Sequence, residues 1–277
     1  MQRDQNFKLL KIRARQQVYT LLSGNNLSRL NGEGYDLSEL REYHPGDDVR
    51  KINWIITAKQ GKPYIKELHA NRELSIVTAA LAGGSLWFGE GNAKQLRMAE
   101  TTALLGYAAH HNGDLFTGAL YREEGKHFTI PTKQRYSIEN FARVLYESDL
   151  SGSHIDDNAS IKDLFTRVQN RSLIFVMGDF LQNIDLSLLA QKHEVIALII
   201  RDRREEQPEK LGEVILKNPE TGGVMNTFFG PKSIRRYLTE IRRNDERLIA
   251  HFSRYNIRYT KIFSDEEPIT KLTGLFR

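Results

Sequence analysis

Cysteine is absent from this chain of 277 residues. Its absence excludes disulfide bonds, thiol catalysis and zinc sites built on cysteine, and it is consistent with a reducing compartment. Apolar runs of about 18 residues, the length that a transmembrane helix needs, are also missing. The opening MQRDQNFKLLKIRARQ is charged throughout, unlike a secretory signal. We therefore expect a cytoplasmic protein with no transmembrane segment.

Motifs of common enzymes are missing as well. The sequence contains no Gly-x-Ser-x-Gly, no His-Glu-x-x-His and no phosphate-binding loop with its Lys-Ser/Thr, although GGSLWFGEG at 83–91 is rich in glycine. Histidines and acidic residues, which could act as the catalytic groups of a hydrolase, are present, but they form no recognisable catalytic motif. We therefore expect a protein that is not an enzyme, and we keep a hydrolase as an alternative.

The positive charge lies at one end of the chain. The net charge is +5, and residues 1–72 carry 13 Lys and Arg against 8 Asp and Glu, so the remaining residues balance. A basic face attracts anions such as nucleic acid, acidic protein or lipid headgroups. Few aromatic residues are interleaved with the basic ones, as a single-strand platform needs. We expect no nucleic-acid partner, and a contact with a membrane surface stays open.

From residue 74 onward, short apolar runs alternate with helical patterns. Continuous apolar runs of this length are typical of buried parallel strands. The predicted strands are 74–82, 114–123, 126–130 at an edge, 172–178, 193–202 and 257–263, with a hairpin at 213–229. The predicted helices are 92–111, 134–147, 161–169, 184–191, 231–256 and 266–275.

This alternation predicts a three-layer α/β domain over 73–277, with a mostly parallel sheet between helices. An N-terminal extension over 1–72 precedes it and begins with a helix at 4–22. Ligands of such sheets bind where the strands end, at their carboxyl edge. The loops at that edge are 82–92, 152–160 and 178–184.

The stretch LREYHPGDDVRKINWIITAKQGKPYIKEL, at 40–68, predicts a turn followed by one short helix. Pro45 and Gly46 suit the two central positions of the turn. Asp47 then suits the N-cap, Asp48 suits the positive end of the helix dipole, and a glycine ends the helix at 61.

The same stretch has a second interpretation. Glu42, Asp47 and Asp48 could be metal ligands or acid–base groups. Helix capping accounts for both aspartates, so we expect a structural polar cluster, in which Arg41 and Arg50 pair with carboxylates. We expect Trp54 to pack the helix onto the sheet.

This stretch closely resembles the signature of the domain-of-unknown-function 58 family, which reads roughly L-R-x-Y-x-P-G-D-D-x-R-x-I-D-W-x-x-T-A-R. The matching positions are Arg41, Tyr43, Pro45, Gly46, Asp47, Asp48, Arg50, Ile52, Trp54, Thr57 and Ala58. Asn53 and Lys59 replace the usual Asp and Arg. GDF at 178–180, RD after the next strand and NPETG at 218–222 also resemble the family, so the likeness extends over essentially the whole chain.

The resemblance implies a von Willebrand factor A-like fold. It also implies a partner, because members of the family often accompany MoxR-type AAA+ ATPases and are thought to act with them in chaperone-like maturation of other complexes. On this basis we expect a non-enzymatic adaptor or scaffold that binds a MoxR-type AAA+ ATPase and its client protein.

The resemblance implies a metal site that this sequence lacks in part. Domains of the von Willebrand type hold Mg²⁺ through D-x-S-x-S and a Thr and an Asp from later loops. Here Leu81 and Gly83 replace the first Asp and Ser, and Ser85 and Asp179 remain. The Thr position falls in SHIDD, where Asp156 or Asp157 could substitute. We therefore expect a degenerate site with no cofactor.

The remaining edge residues are candidates for protein binding. We assign Ser85, Trp87, Phe88 and Asp179 to a partner-binding edge, although both aromatic residues could instead belong to the core. The alternative is a Mg²⁺-dependent protein-binding module that uses Ser85 and Asp179. The arginine-rich face of the helix at 231–256 is either simply solvated or a docking face for an acidic partner.

Overall fold

The computed structural model of the chain describes residues 2–23, 39–67, 74–89, 92–220 and 222–275. The strands are β1 (Glu39–Glu42), β2 (Tyr64–Glu67), β3 (Ser75–Leu81), β4 (Leu115–Arg122), β5 (Gly125–Phe128), β6 (Leu173–Gly178), β7 (Glu194–Arg201), β8 (Gly212–Lys217), β9 (Val224–Phe229) and β10 (Arg258–Phe263). The α-helices are α1 (Gln2–Ser23), α2 (Trp54–Gln60), α3 (Ala93–Asn112), α4 (Arg135–Glu147), α5 (Asp157–Arg167), α6 (Ser187–Ala190), α7 (Arg203–Glu206), α8 (Pro231–Arg254) and α9 (Pro268–Leu275). Single 3₁₀ turns lie at Val49–Lys51 and Gly84–Trp87.

Six strands form the central sheet, in the order β10-β7-β6-β3-β4-β5. Neighbouring strands are parallel except β4 and β5, and β5 lies at the end of the order, as the edge strand that the sequence predicts. β3 is buried almost throughout because helices cover both faces, which explains its unbroken apolar sequence. The predicted α/β class and mostly parallel sheet are confirmed.

Helices cover the two faces of the sheet in separate layers. α3, α4 and α9 lie on one face. On the other face, α5, α6 and α8 enclose an apolar cluster with alternate residues of β3, β6 and β7. α8 contributes Leu248 and Phe252 to that cluster. The arginine-rich face predicted for this helix is exposed and consists of Arg235, Arg236, Arg242, Arg243 and Arg247.

α1 packs on the outer side of a helical layer, against α3, α4 and α9. Its buried residues are Phe7, Leu10 and Ala14, which recur at helical spacing. α1 therefore belongs with the sheet, in a compact unit of residues 1–26 and 74–277. The sequence predicts the domain boundary at residue 72 and so assigns this helix to the N-terminal extension, which differs from the structure. Periodicity revealed the apolar stripe of the helix but not the surface that buries it.

A second compact unit is formed by residues 27–73. Within it, β1 and β2 pair antiparallel, and the segment between them carries the first 3₁₀ turn and α2. The main-chain N–H of Tyr43 donates to the carbonyl of Pro63, 2.8 Å away, which extends the pairing by one step.

β8 and β9 form the predicted hairpin as a sheet of their own. The exposed face of the hairpin is mixed: Ile215, Val224 and Phe228 are each more than 60% accessible, and Glu213, Lys217 and Asn226 share the face with them. Among the helices of the described residues, none combines the length and the apolar character needed to cross a bilayer.

Candidate functional site

The loops after β3 and β6 leave the same edge of the sheet. These two strands are parallel neighbours, and the helices that follow them, α3 and α6, lie on opposite faces. At such a reversal the two loops diverge and leave a crevice at the carboxyl edge, which is where α/β sheets bind ligands. Ser85 and Asp179, predicted to lie at one edge, both belong to these loops.

Lys94, in the first turn of α3, places its ammonium group inside this edge. Its side chain has no accessible surface, and Nζ lies 2.6 Å from Oε1 of Glu205 and 3.4 Å from Oδ2 of Asp179. The ring of Phe88 lies over the same group, with its centroid 5.7 Å away. Burial and the positive end of the helix dipole both disfavour a cation here, so the two carboxylates stabilise it.

Glu205 is held in place by the turn that follows β7. Its Oε2 accepts the main-chain N–H of Asp202 at 2.7 Å, and Asp202 Oδ1 accepts the N–H of Arg204 at 2.9 Å, forming a capping box. Burial raises the pKa of Glu205, and the nearby ammonium of Lys94 opposes that rise. One Glu205 oxygen thus supports the turn while the other binds the lysine.

The residue after Asp179 has an unusual backbone conformation. Phe180 is buried with φ of 47°, in the left-handed region that costs a non-glycine residue on the order of 1 kcal/mol. Arg201 Nε donates to the carbonyl of Asp179 at 2.5 Å, and Asn244 Nδ2 donates to the carbonyl of Phe180 at 2.7 Å. The turn that positions the Asp179 carboxylate is therefore held from β7 and from α8.

The tip of the β8–β9 hairpin closes part of this edge. Gly84 donates its N–H to the carbonyl of Ser153 at 2.6 Å, and a Cβ on Gly84 would lie 2.2 Å from the carbonyl oxygen of Pro219. Only glycine allows this approach. Beside it, Glu220 accepts a hydrogen bond from Gln182 Nε2 at 3.1 Å. The NPETG segment noted in the sequence thus contributes to the candidate site.

Acidic side chains are concentrated beside the crevice. Burial raises the pKa of Asp157 to about 7, and the charges of Asp179, Glu220 and Asp156 add to the rise. Asp156 itself caps α5 by accepting the N–H of Ala159 at 2.9 Å. The raised pKa favours the protonated form of Asp157 up to about neutral pH. Asp179, in contrast, forms an ion pair with Lys94.

The aromatic residues assigned to the edge are accessible. Trp87 is 37% exposed and Phe88 is 41% exposed, whereas Leu86 between Ser85 and Trp87 is buried. Ser85 is half-buried, and its carbonyl accepts the N–H of Phe88 within the 3₁₀ turn. The structure thus presents two large apolar side chains on the rim of the crevice.

The residues at this edge do not fit a magnesium ion. Mg²⁺ requires oxygen ligands in octahedral geometry. Leu81 is packed in the apolar cluster, and the nearest cation to Asp179 and Glu205 is Lys94. Within the described part of the chain, no three His, Asp or Glu side chains are arranged to hold a metal ion.

The signature stretch lies in the smaller unit and forms turns. The N–H of Asp47 donates to the carbonyl of His44 at 3.0 Å, with Pro45 and Gly46 at the central positions. Gly46 has φ of 111°, as the predicted turn requires. Asp47 Oδ2 accepts the N–H of His44 at 2.9 Å, so its carboxylate stabilises the turn.

The predicted helix of this stretch was wrong in its start and its continuity. Asp48, not Asp47, caps the 3₁₀ turn by accepting the N–H of Arg50 at 3.0 Å. α2 begins only after Asn53, whose side chain accepts the N–H of Ile56. Asn53 interrupts the helix because its side chain competes for backbone donors and favours a cap.

Apolar residues of the smaller unit are exposed. Trp54 is 69% exposed and Ile55 is 73% exposed. The expected packing of Trp54 onto the sheet stays a prediction. Gly61 ends α2 in the left-handed conformation, as predicted. The side chain of Arg41 lies outside the described residues, and its pairing stays a prediction.

Sequence reasoning missed the lysine at the centre of this edge. Lys94 and Glu205 carry no motif, and they are separated by 111 residues. One signal was available, because Lys94 lies in the first turn of a helix rich in Ala and Leu, at the end where a lysine is disfavoured. Arg201 was noted only as part of RD after a strand.

The fold and the site define a class: a mixed α/β protein whose candidate site lies at the carboxyl edge of a mostly parallel sheet. A family model described as "Protein of unknown function DUF58" matches residues 39–247. The chain therefore belongs to this family, and the resemblance drawn from the signature is confirmed.

Relatives occur in mycobacteria. The uncharacterized protein Rv1480 of Mycobacterium tuberculosis is 26% identical over 231 residues, which cover 81% of this chain and 73% of the relative. The uncharacterized protein Mb1516 of Mycobacterium bovis matches with the same values.

Among solved structures, the conserved hypothetical protein BatB from Bacteroides thetaiotaomicron aligns with 73% of this chain and 96% of its own. The identity is 11% and the TM-score is 0.42. The α/β class follows from the strand order of the central sheet and its two helical layers, independently of this likeness.

Proposed function

We propose that this protein is a non-enzymatic adaptor with a von Willebrand factor A-like domain, which binds a MoxR-type AAA+ ATPase and its client protein in the cytoplasm. One observation carries the proposal. The chain's own groups fill the carboxyl edge, where such a sheet would hold a ligand, and two exposed aromatic side chains lie beside it.

The filled edge argues against chemistry there. The lysine ammonium is bound by two carboxylates, and the hairpin tip lies against Gly84, so Lys94, Asp179 and Glu205 are already engaged with one another. An enzyme site of this fold class needs an open crevice with convergent polar groups.

The rim suits a protein partner. Trp87 and Phe88 are adjacent and exposed, and Leu86, which precedes them in the chain, is buried. Aromatic residues dominate the binding energy of protein interfaces, and truncation of a central one costs about 2 kcal/mol or more. We assign the partner-binding edge to these two residues.

Binding of the purified full-length chain to the purified MoxR-type ATPase of the same organism tests the proposal. We expect the Trp87→Ala/Phe88→Ala variant to bind at least about tenfold more weakly, measured by calorimetry. Ile130→Ala is the matched control, because Ile130 is 85% exposed and lies beside Thr132, which pairs with the start of β4 at the opposite edge.

Two outcomes would contradict the proposal. One is no measurable binding of the unmodified chain to the ATPase. The other is equal weakening by Ile130→Ala and by the double aromatic variant, which would show that the rim has no special part in the interface.

A further inference from the structure

We infer that Lys94 is a tethered cation: its ammonium group supplies the positive charge that the carboxylates of this edge require and closes the edge to divalent metal ions. The inference does not depend on a partner protein. It explains why a fold expected to hold a metal has a set of ligands that does not fit one.

The first support is the position of the ammonium group. Asp179 follows β6 and Glu205 follows β7, whereas Lys94 is on α3, the helix after β3. Three separate crossovers thus bring one cation and two carboxylates together at the carboxyl edge. The distances of 2.6 Å to Glu205 and 3.4 Å to Asp179 place the charge between the two acids.

The second support is burial. The Lys94 side chain is fully inaccessible, and the side chains of Glu205 and Asp179 are 3% and 12% exposed. Lysine is almost never fully buried unless it is paired. Two carboxylates with so little water need a counterion from the protein or from solution.

The third support is the surrounding charge. Asp157 and Glu220 act on the same region, because the charges of Asp179 and Glu220 both raise the pKa of Asp157. The charge of Asp179 also contributes to the raised pKa of Glu205. Removal of the lysine charge would leave the carboxylates of Asp179 and Glu205 without a counterion in a partly dry crevice, and one or two carboxylates completed by water can bind a hard divalent cation.

Comparison of the unmodified chain with two variants at Lys94 distinguishes the effect of the missing charge from the effect of the space that a smaller side chain leaves. The unmodified protein should show no change in melting temperature with millimolar Mg²⁺ or Mn²⁺. Lys94→Ala removes the charge and opens space, so its melting temperature should fall by roughly ten degrees and recover in part with Mn²⁺. Lys94→Met removes the charge but fills the space, so it should fall without recovery.

Two further variants give the controls. Asp179→Asn added to Lys94→Ala should abolish the response to Mn²⁺, because it removes a ligand. Lys261→Ala is the matched lysine control: Lys261 also lies between two carboxylates, of Glu206 and Asp245, but is 26% exposed. It should show no response to Mn²⁺.

The inference fails if the unmodified chain binds either metal by titration calorimetry, or if Lys94→Ala is folded and does not bind Mn²⁺. An equal response of Lys261→Ala would also overturn it. If Lys94→Ala folds only with Mn²⁺ present, the inference is supported.

If Lys94→Ala folds under neither condition, the pair Lys94→Met and Lys94→Met/Glu205→Gln decides. The inference requires the double variant to melt at a higher temperature than the single variant, because it removes an unpaired charge. A double variant that is no more stable than Lys94→Met would refute it.

Discussion

Gly84 and Pro219 approach so closely that a Cβ on the glycine would lie 2.2 Å from the proline carbonyl oxygen. This contact joins the loop after β3 to the tip of a hairpin 135 residues further along the chain. It closes part of the carboxyl edge, and it makes the glycine a specific structural requirement and not a source of flexibility.

We expect Gly84→Ala to destabilise the protein by roughly 1 to 3 kcal/mol, because the hairpin tip must move away from the edge. Gly83→Ala is the matched control, since a Cβ there would meet its nearest neighbour, Ile155 Cγ1, at an ordinary 3.4 Å. Chemical denaturation of both variants measures the difference. Equal stability of the two variants would show that the hairpin tip is not held against Gly84.

Glu139 joins α1 to the rest of the larger unit. Lys11 and Arg15 of α1 and Arg135 of its own helix contact the carboxylate. Although burial opposes ionisation, the hydrogen bonds from these three cations lower the pKa of Glu139 to about 2. The docking of α1 should therefore depend on this charge.

We expect Glu139→Gln to weaken the docking of α1 by about 1 to 2 kcal/mol, after allowance for partial solvent screening. Because the folded-state pKa is depressed, the stabilisation is present above about 4.5 and is lost as the pH falls toward 2. Hydrogen exchange of the α1 amides measures the effect. Glu147→Gln, an exposed position on the same helix, should leave the exchange unchanged.

His193 should make the protein sensitive to mild acid. The side chain is 5% exposed, and burial, aided by the charge of Lys192, lowers its pKa to about 4 from the usual 6.5. A buried neutral imidazole must charge on acidification, so stability present above pH 6.5 is lost as the pH falls through about 4.

We expect His193→Leu to remove roughly 2 to 3 kcal/mol of that loss, so that its stability changes less between pH 7 and pH 4 than that of the unmodified chain. Thermal unfolding across this range is the measurement, and exposed His111→Gln is the control. A variant whose pH profile matches the unmodified one would contradict the assignment.

Asp157 should make the stability depend on pH in the opposite direction to His193. Its pKa is raised to about 7, so the protonated form is favoured in the folded state, and stability is lost as the pH rises from about 4 through 7. Asp157→Asn should therefore stabilise the protein at pH 8 by about 1 kcal/mol, discounted because the side chain is only half-buried. At pH 4 the variant and the unmodified chain should be nearly equal. A gain of the same size at both pH values would point to a cause other than ionisation.

The sequence alone predicted the larger elements well because their patterns are local. β3 and β6 are short apolar runs, α8 alternates apolar and arginine faces at helical spacing, and Pro45-Gly46 forms the turn its residue types favour. It predicted less well where two local signals compete. Asn53 is a good cap, and it divided a helix that apolar spacing had suggested was continuous.

The amino-acid sequence by itself determined the family, the α/β class and the loops that meet at the carboxyl edge, because the motif, the hydrophobic period and the alternation of strands with helices along the chain are properties of the chain in one dimension. Tertiary structure alone decided that Lys94 is bound by Asp179 and Glu205, that Pro219 lies against Gly84, and that α1 packs with the sheet. Each of these contacts joins residues far apart in the chain. A side chain's burial and its partners follow from how the layers pack, which no local pattern encodes.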